Sequence, residues 1–214
     1  MTIRFDSPIF GPVHSRRLGT SLGINLLPAD EKVCNFDCIY CECGYNKDYK
    51  TGNPLPTRSM VKNALEKQLL KMKEENMPPD VLTFAGNGEP TLHPEFKGII
   101  EDTVGLRNNY FPKAKICVLS NATRIHNKDV FEALKLIDQN ILKLDTVNED
   151  YIRLVNRPLK NFSLLDTIAQ LKAYGNQCII QTMFLKGYYQ GQSVDNTTDD
   201  YVLPLIEVVK TIQP

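Results

Sequence analysis

Apolar and polar positions follow two alternating rhythms along the chain. SLGINLLP at 21–28 is a near-continuous apolar run and predicts an opening strand. VKNALEKQLLKM then repeats its apolar residues at helical spacing, with Val61, Ala64, Leu65, Leu69 and Met72 on one face and Pro78 and Pro79 beyond its end. DVLTFAG predicts a short strand from Val81. HPEFKGIIEDTV predicts a helix with Pro94 in its first turn and Phe96, Ile99, Ile100 and Val104 as its buried stripe. AKICVLS reads as a strand and NKDVFEALKLI as a helix capped by Asn127. NILKLD is a further strand, and residues 148–155 a short helical turn. Ser163 and Asp166 form the S-x-x-D start of a longer helix that Gly175 closes. CIIQTMFL predicts the last strand and YVLPLIEVVKTI the last helix.

Five strand–helix units with apolar strands predict an α/β fold in which helices cover a parallel sheet. No repeat or linker divides the 214 residues, so one domain is expected, with 1–20 as an N-terminal extension. Residues 46–58, with Gly52, Pro54 and Pro56, read as a loop. Polar clusters recur where strands hand over to helices: the cysteine loop at 34–44, GNGEPT at 86–91, SNAT at 120–123, Asp145-Thr146, and Lys186-Gly187 at the fifth. In parallel α/β architectures these ends share one edge, so the clusters should face a common cleft.

Charge changes the picture by subtraction. Lys+Arg and Asp+Glu balance at 25 each, which leaves no global basic field for nucleic acid. The N-terminus MTIRFDSPIFGPV contains no long apolar run, so neither a signal peptide nor a membrane anchor is visible, and a cytoplasmic location with reduced thiols is expected. Four of the six cysteines nonetheless crowd into residues 34–44, which under reducing conditions points to metal.

Cys34, Cys38 and Cys41 are spaced C-x3-C-x2-C, and Cys43 follows. Zinc sites draw ligands from separated pairs, and no second pair exists; Cys117 and Cys178 sit singly in apolar strands, as small buried hydrophobes do. The i, i+4, i+7 spacing would also fit one helix face, although Asn35, Asp37 and Gly44 disfavour a helix. Three thiolates on a compact loop suit a cubane iron–sulfur cluster with one iron left open. Zinc would require Cys43 as a fourth ligand, and that closed site would leave no open position.

CNFDCIYC, with Tyr40 as its aromatic, resembles the signature of the radical S-adenosylmethionine (SAM) superfamily, and Asn87-Gly88-Glu89 looks like that superfamily's GGE motif. The resemblance implies a [4Fe–4S] cluster on Cys34, Cys38 and Cys41. Its open iron would chelate SAM, and reductive cleavage would yield a 5'-deoxyadenosyl radical that takes hydrogen from an unknown substrate. It also implies that Glu89 and nearby carbonyls accept from the SAM amino group and that Gly86 and Gly88 let backbone approach closely. Ser120 and Asn121 would contact SAM, Asp145 would accept from ribose hydroxyls, and Gln181 would line the cavity. For Ser120, Asn121 and Asp145 a cap or turn role fits equally well. No protein acid, base or nucleophile is needed for the initiating step. Cys43 is either a spectator or a substrate-side thiol.

GPVHSRRLGTSLGINLLP, GNGEPTLHP and DYIRLVNRP look like a branch related to the wyosine-tRNA synthetases, which rebuild a guanine in tRNA. Residues 1–33 lack the second cysteine set of those enzymes, and no flavin domain is apparent. The expected fold is a partial (β/α) barrel over 21–214, its sixth unit missing after Pro214. Expected partners are a reductase such as flavodoxin or ferredoxin, with tRNA as an alternative. A glycyl-radical-enzyme activator and a non-catalytic metal module stay open. Arg16, Arg17 and Lys32 read as phosphate or carboxylate binders or as solvated surface, and His14 and His93 as proton-transfer groups or turn and cap residues.

Overall fold

A computed structural model describes residues 2–48, 51–160 and 162–214. Its centre is a six-stranded sheet in the order β1 to β6. Strands β2 (Gly19–Ile24), β3 (Val81–Phe84), β4 (Lys115–Ser120), β5 (Gln139–Lys143) and β6 (Cys178–Gln181) run parallel in register, while β1 (Ile9–Ser15) lies antiparallel to β2. The chain thus forms a partial, unclosed barrel with β6 at its open edge.

The helices fall where the apolar periodicity places them. α1 (Arg58–Glu74) buries Val61, Leu65, Leu69 and Met72. α2 (Phe96–Tyr110) begins just after Pro94 and buries Phe96, Ile99 and Ile100, with Val104 partly buried. Asn127 caps α3 (Lys128–Leu134) by accepting from the amides of Asp129 and Val130. α4 (Glu149–Tyr151) runs on into a wide π turn, Ile152–Asn156, which ends on Arg157 in the left-handed region. Ser163 caps α5 (Leu164–Tyr174) and Gly175 closes it. α6 (Asp199–Ile212) packs back against α5. Alternation along the strands sends Leu22, Ile24, Leu82, Phe84, Ile116, Val118 and Leu142 to the helix-covered face, each fully buried. Burial of side chains this size is worth about 1.5–3 kcal/mol apiece and holds the layers together.

Two expectations need correction. Residues 1–20 are not all outside the sheet, because IFGPVHS adds β1 as an edge strand, with a register irregularity between Phe10 and Val13. Lys186-Gly187 does not end the fifth parallel strand, which stops at Gln181. It opens a hairpin of β7 (Lys186–Tyr189) and β8 (Gln192–Asp195), turned by Gln190 and Gly191 at positive φ of 50° and 78°. Described residues of 46–57 form no helix or strand; Tyr49 and Lys50 of the expected loop lie outside the described set. Among the described residues no helix is long and apolar enough to cross a membrane.

Candidate metal and cofactor site

The cysteine loop is pinned on two sides. On one, the amide of Val33 donates to Asn87 O at 3.0 Å and the amide of Glu89 donates to Val33 O at 3.0 Å, so GNGE and the residue before Cys34 are stitched backbone to backbone. Gly88 makes this possible: its φ is 142°, and a Cβ there would fall 2.0 Å from Val33 O. On the other side lies the segment VNRPL. Ile39 N donates to Val155 O at 2.9 Å, Asp37 N reaches Asn156 O and Arg157 O at 3.1 Å, and Leu159 N donates to Asn35 O at 3.0 Å. Asn46 closes the loop on itself, accepting from Cys34 N at 2.9 Å and donating to Phe36 O at 3.2 Å. The cysteines therefore sit on an irregular loop, not on a helix face.

All six cysteines are free thiols. The sulfur of Cys34 accepts from Phe36 N at 3.4 Å and Asn121 Nδ2 at 3.5 Å, and that of Cys38 from Asn156 Nδ2 at 3.5 Å. Cys43 donates to Cys41 and to Gly86 O at 3.5 Å. That thiol donor, with Lys32 beside it, outweighs burial and holds Cys41 down to about 5. Burial, reinforced by Glu89, pushes Cys34 up to about 12, and burial also raises Cys38. Among the described residues no three Cys, His, Asp or Glu side chains converge as a single metal ion requires. The Lys32 ammonium sits inside the same loop, donating to Gly44 O at 2.7 Å and standing 3.4 Å from Asp37 Oδ1. Soft sulfurs fed by N–H donors on one compact loop fit a multinuclear iron–sulfur group better than one tetrahedral zinc.

Around this loop the polar strand ends are fastened to each other. Glu89, 1% exposed, accepts through Oε1 from Thr91 N (3.1 Å), Thr91 Oγ1 (2.6 Å) and Ser120 Oγ (2.9 Å), and through Oε2 from Asn121 N (2.7 Å). Burial raises its pKa while those donors lower it, and burial prevails. Asn121 in turn donates to Asn35 Oδ1 at 2.7 Å as well as to Cys34. Asn87, fully buried, spends its side chain on the N-terminal segment, accepting from Phe5 N and donating to Phe5 O, Pro28 O and Ala29 O. Gly86 leaves room for Asn25, whose Oδ1 a Cβ would meet at 2.5 Å.

Asp145 is equally committed. Its Oδ2 accepts from Tyr40 OH, from Asn156 Nδ2 at 2.7 Å and from Lys143 Nζ at 2.9 Å, and its Oδ1 from Met183 N at 2.9 Å. Lys143 also lies over the Tyr40 ring at 4.8 Å. Gln181, paired with Lys143 across β5 and β6, is exposed at the open edge. The gap bounded by Asn121, Lys143, Asp145 and Asn156 has a volume of only about 20 Å³, whereas a cleft of about 690 Å³ opens beyond Cys34, Asn35 and Phe36 toward Arg124, His126 and Lys160.

Cys34, Cys38, Cys41, Gly88, Glu89, Ser120 and Asn121 are thus brought together, with Tyr40 and Asp145 adjoining through Asn156 and Cys38. Sequence reasoning missed Asn156, Lys143, Asn46 and Asn25. DYIRLVNRP and the cysteine loop are separate motifs in the sequence, and no periodicity joins them. Lys32 is buried rather than surface-solvated, at 2% exposed. His93 is also buried, its Nε2 at 2.8 Å from Pro56 O and its Nδ1 accepting from Glu95 N, which is a cap role. His14, Arg16 and Arg17 are exposed near β1. Cys117 and Cys178 are buried strand residues.

A family model described as the radical SAM superfamily matches residues 32–192. The UPF0026 protein of Helicobacter pylori is 32% identical over 182 residues, covering 84% of this chain and 56% of its own length. That of Methanocaldococcus jannaschii is 32% identical over 211 residues, covering 96% of this chain and 60% of its own length. The chain therefore spans little more than half the length of these curated relatives. Among solved structures, TYW1 with a lysine-pyruvate adduct bound is similar in fold, with a TM-score of 0.57 at 16% identity over 92% of this chain and 63% of that one.

Proposed function

The chain belongs to the radical SAM superfamily, and from that premise we propose that it is the core of an enzyme whose Cys34, Cys38 and Cys41 hold a [4Fe–4S] cluster with one iron open to SAM. The observation that carries this reading is the stitching of CNFDCIYC to GNGE through Val33 and Gly88, with Asn121 joining Cys34 to the Glu89 clamp. Held by those three cysteines, the cluster would pass one electron from an external reductant to SAM, the chemistry that would start hydrogen abstraction from a substrate.

The chain's own residues position and shield. Glu89 ties the third parallel strand's SNAT turn to the cysteine loop and keeps one acceptor site on Oε2 for an amino group. Asn121 and Asn156 donate to the thiol sulfurs. Asp145 holds Tyr40 over the strand ends, a different task from accepting a ribose hydroxyl directly. Glycines 86 and 88 let the backbone close on Asn25 and on Val33 O, where a Cβ would clash.

A second reading, a tRNA-modifying enzyme, has one observation in its favour. Arg157 lies 4.9 Å from the Tyr45 ring and donates to Tyr189 OH at 2.9 Å, next to Tyr188, which is 82% exposed. Such a stacking platform suits an unpaired base. Salt-sensitive retention of RNA would favour it.

The test is anaerobic reconstitution with iron and sulfide, then SAM and dithionite, with 5'-deoxyadenosine read by mass spectrometry. The nucleoside should appear and be lost in Cys38→Ala together with the iron. Normal iron and sulfide in Cys38→Ala would refute the ligand assignment, and a loaded protein that never forms the nucleoside would refute the SAM chemistry.

A further inference from the structure

Lys32 is a buried cation in the middle of the cysteine loop, two residues before Cys34, with 1% of its side chain exposed. An ammonium taken out of water is costly unless its charge is met. Its protein partners meet it incompletely. Nζ donates to Gly44 O at 2.7 Å, which offers a dipole and no charge. Asp37 Oδ1 stands at 3.4 Å and is already engaged by Asn46 N at 2.8 Å and Asn46 Nδ2 at 2.7 Å. Gly44 and Asp37 both lie on the stretch that carries Cys34, Cys38 and Cys41, so the ammonium is enclosed by the loop that would hold the cluster.

We propose that Lys32 is a fixed counter-cation for the thiolate-bound cluster and that it makes the cluster easier to reduce. The inference rests on the cluster assignment above. Three thiolates and an oxidised [4Fe–4S]²⁺ core carry a net charge of −1, and one added electron makes it −2. A buried ammonium favours the more negative state, and low local dielectric keeps its influence from being screened. Lys32 is therefore a positioning residue that acts through charge and transfers no proton. Lys143, which lies over the Tyr40 ring of the same loop, is already paired with Asp145 at 2.9 Å.

The test uses the reconstituted protein with electrons supplied by dithionite, and reads the midpoint potential by an EPR-monitored redox titration beside iron and sulfide content. Lys32→Met should retain iron while the equilibrium constant for one-electron reduction falls at least tenfold, a shift of about 59 mV to lower potential. Lys32→Arg, which keeps the charge, should stay near the unaltered protein. Because Lys32→Met strands Asp37, Lys32→Gln, whose amide can still donate to Gly44 O or Asp37, stands in if that variant fails to fold. It removes only the positive charge, so it should show the same downward shift. A loaded charge-removing variant with an unchanged potential overturns the proposal. Loss of iron from both, with Lys32→Arg loaded, makes the charge an assembly requirement and likewise overturns tuning. Failure of the unaltered protein to take up iron and sulfide sinks the cluster reading itself, which is a separate result.

Discussion

Gly88→Ala is the substitution that most directly probes how the site is held. The added methyl would fall 2.0 Å from Val33 O and 2.6 Å from Val33 C, both backbone atoms that cannot swing aside as a side-chain tip would. Relief requires the two strands of the contact to part, which removes the hydrogen bonds Val33 N to Asn87 O and Glu89 N to Val33 O. Two net hydrogen bonds at about 0.5–1.5 kcal/mol each, with about 1–3 kcal/mol for forcing alanine to a φ of 142°, give roughly 2–6 kcal/mol. For a chain of 214 residues the middle of that range lowers Tm by roughly 8–16 °C. Gly105→Ala is the matched control. Gly105 lies exposed within α2 with nothing within 4 Å of a Cβ, so alanine should stabilise by about 0.5–1 kcal/mol. Anaerobic thermal melts and iron content after reconstitution are the readouts, and Gly88→Ala should lose both stability and iron. If it melts within a degree of the unaltered protein and loads fully, the backbone stitch does not hold the loop.

Cys43→Ala should keep its iron and sulfide, since that thiol donates to Cys41 and to Gly86 O; a drop to the level of Cys38→Ala would make Cys43 a ligand. Asp102 receives Arg58 Nε at 2.7 Å and Nη2 at 3.1 Å, tying α1 to α2, and that guanidinium holds its pKa below the ordinary carboxylate value. A depressed folded pKa stabilises above the unfolded value, about 3.9, and the gain disappears as pH falls through the folded one. Urea midpoints should accordingly separate Asp102→Asn from the unaltered protein at pH 7 and converge toward pH 3; equal separation at both would assign the effect to packing.

What the sequence made legible was local. Asn127 and Ser163 announce their helices because a cap and its amide partners lie within three residues. The five parallel strands stood out as apolar runs between helices. β1 did not, because IFGPVHS interrupts its alternation with Gly11 and Pro12 and gains its partner only through the sheet edge. The hairpin was hidden because Gln-Gly is a weaker turn signal than Asn-Gly or Asp-Gly, although its geometry puts both residues at positive φ. At the site, residue types were readable and their pairings were not. Glu89 and Asp145 are polar residues at strand ends, but that each already accepts from four protein donors depends on contacts that reach as far as 105 residues in sequence. Lys32 looked solvated in ADEKVC because only the closed loop buries it.

The reach of those contacts also sets an order of events during synthesis. Cys38 waits for Asn156, 118 residues downstream, and Tyr40 for Asp145, which is itself fixed by Met183 N and by Asn196, whose side-chain amide donates to the Asp145 carbonyl at 3.1 Å. At roughly 5–20 residues per second, a ribosome needs roughly 6–24 s to make the stretch between Cys38 and Asn156. For that interval the thiols have left the ribosome's cover without the donors that later surround them. The nascent chain thus exposes these thiols first and surrounds them last.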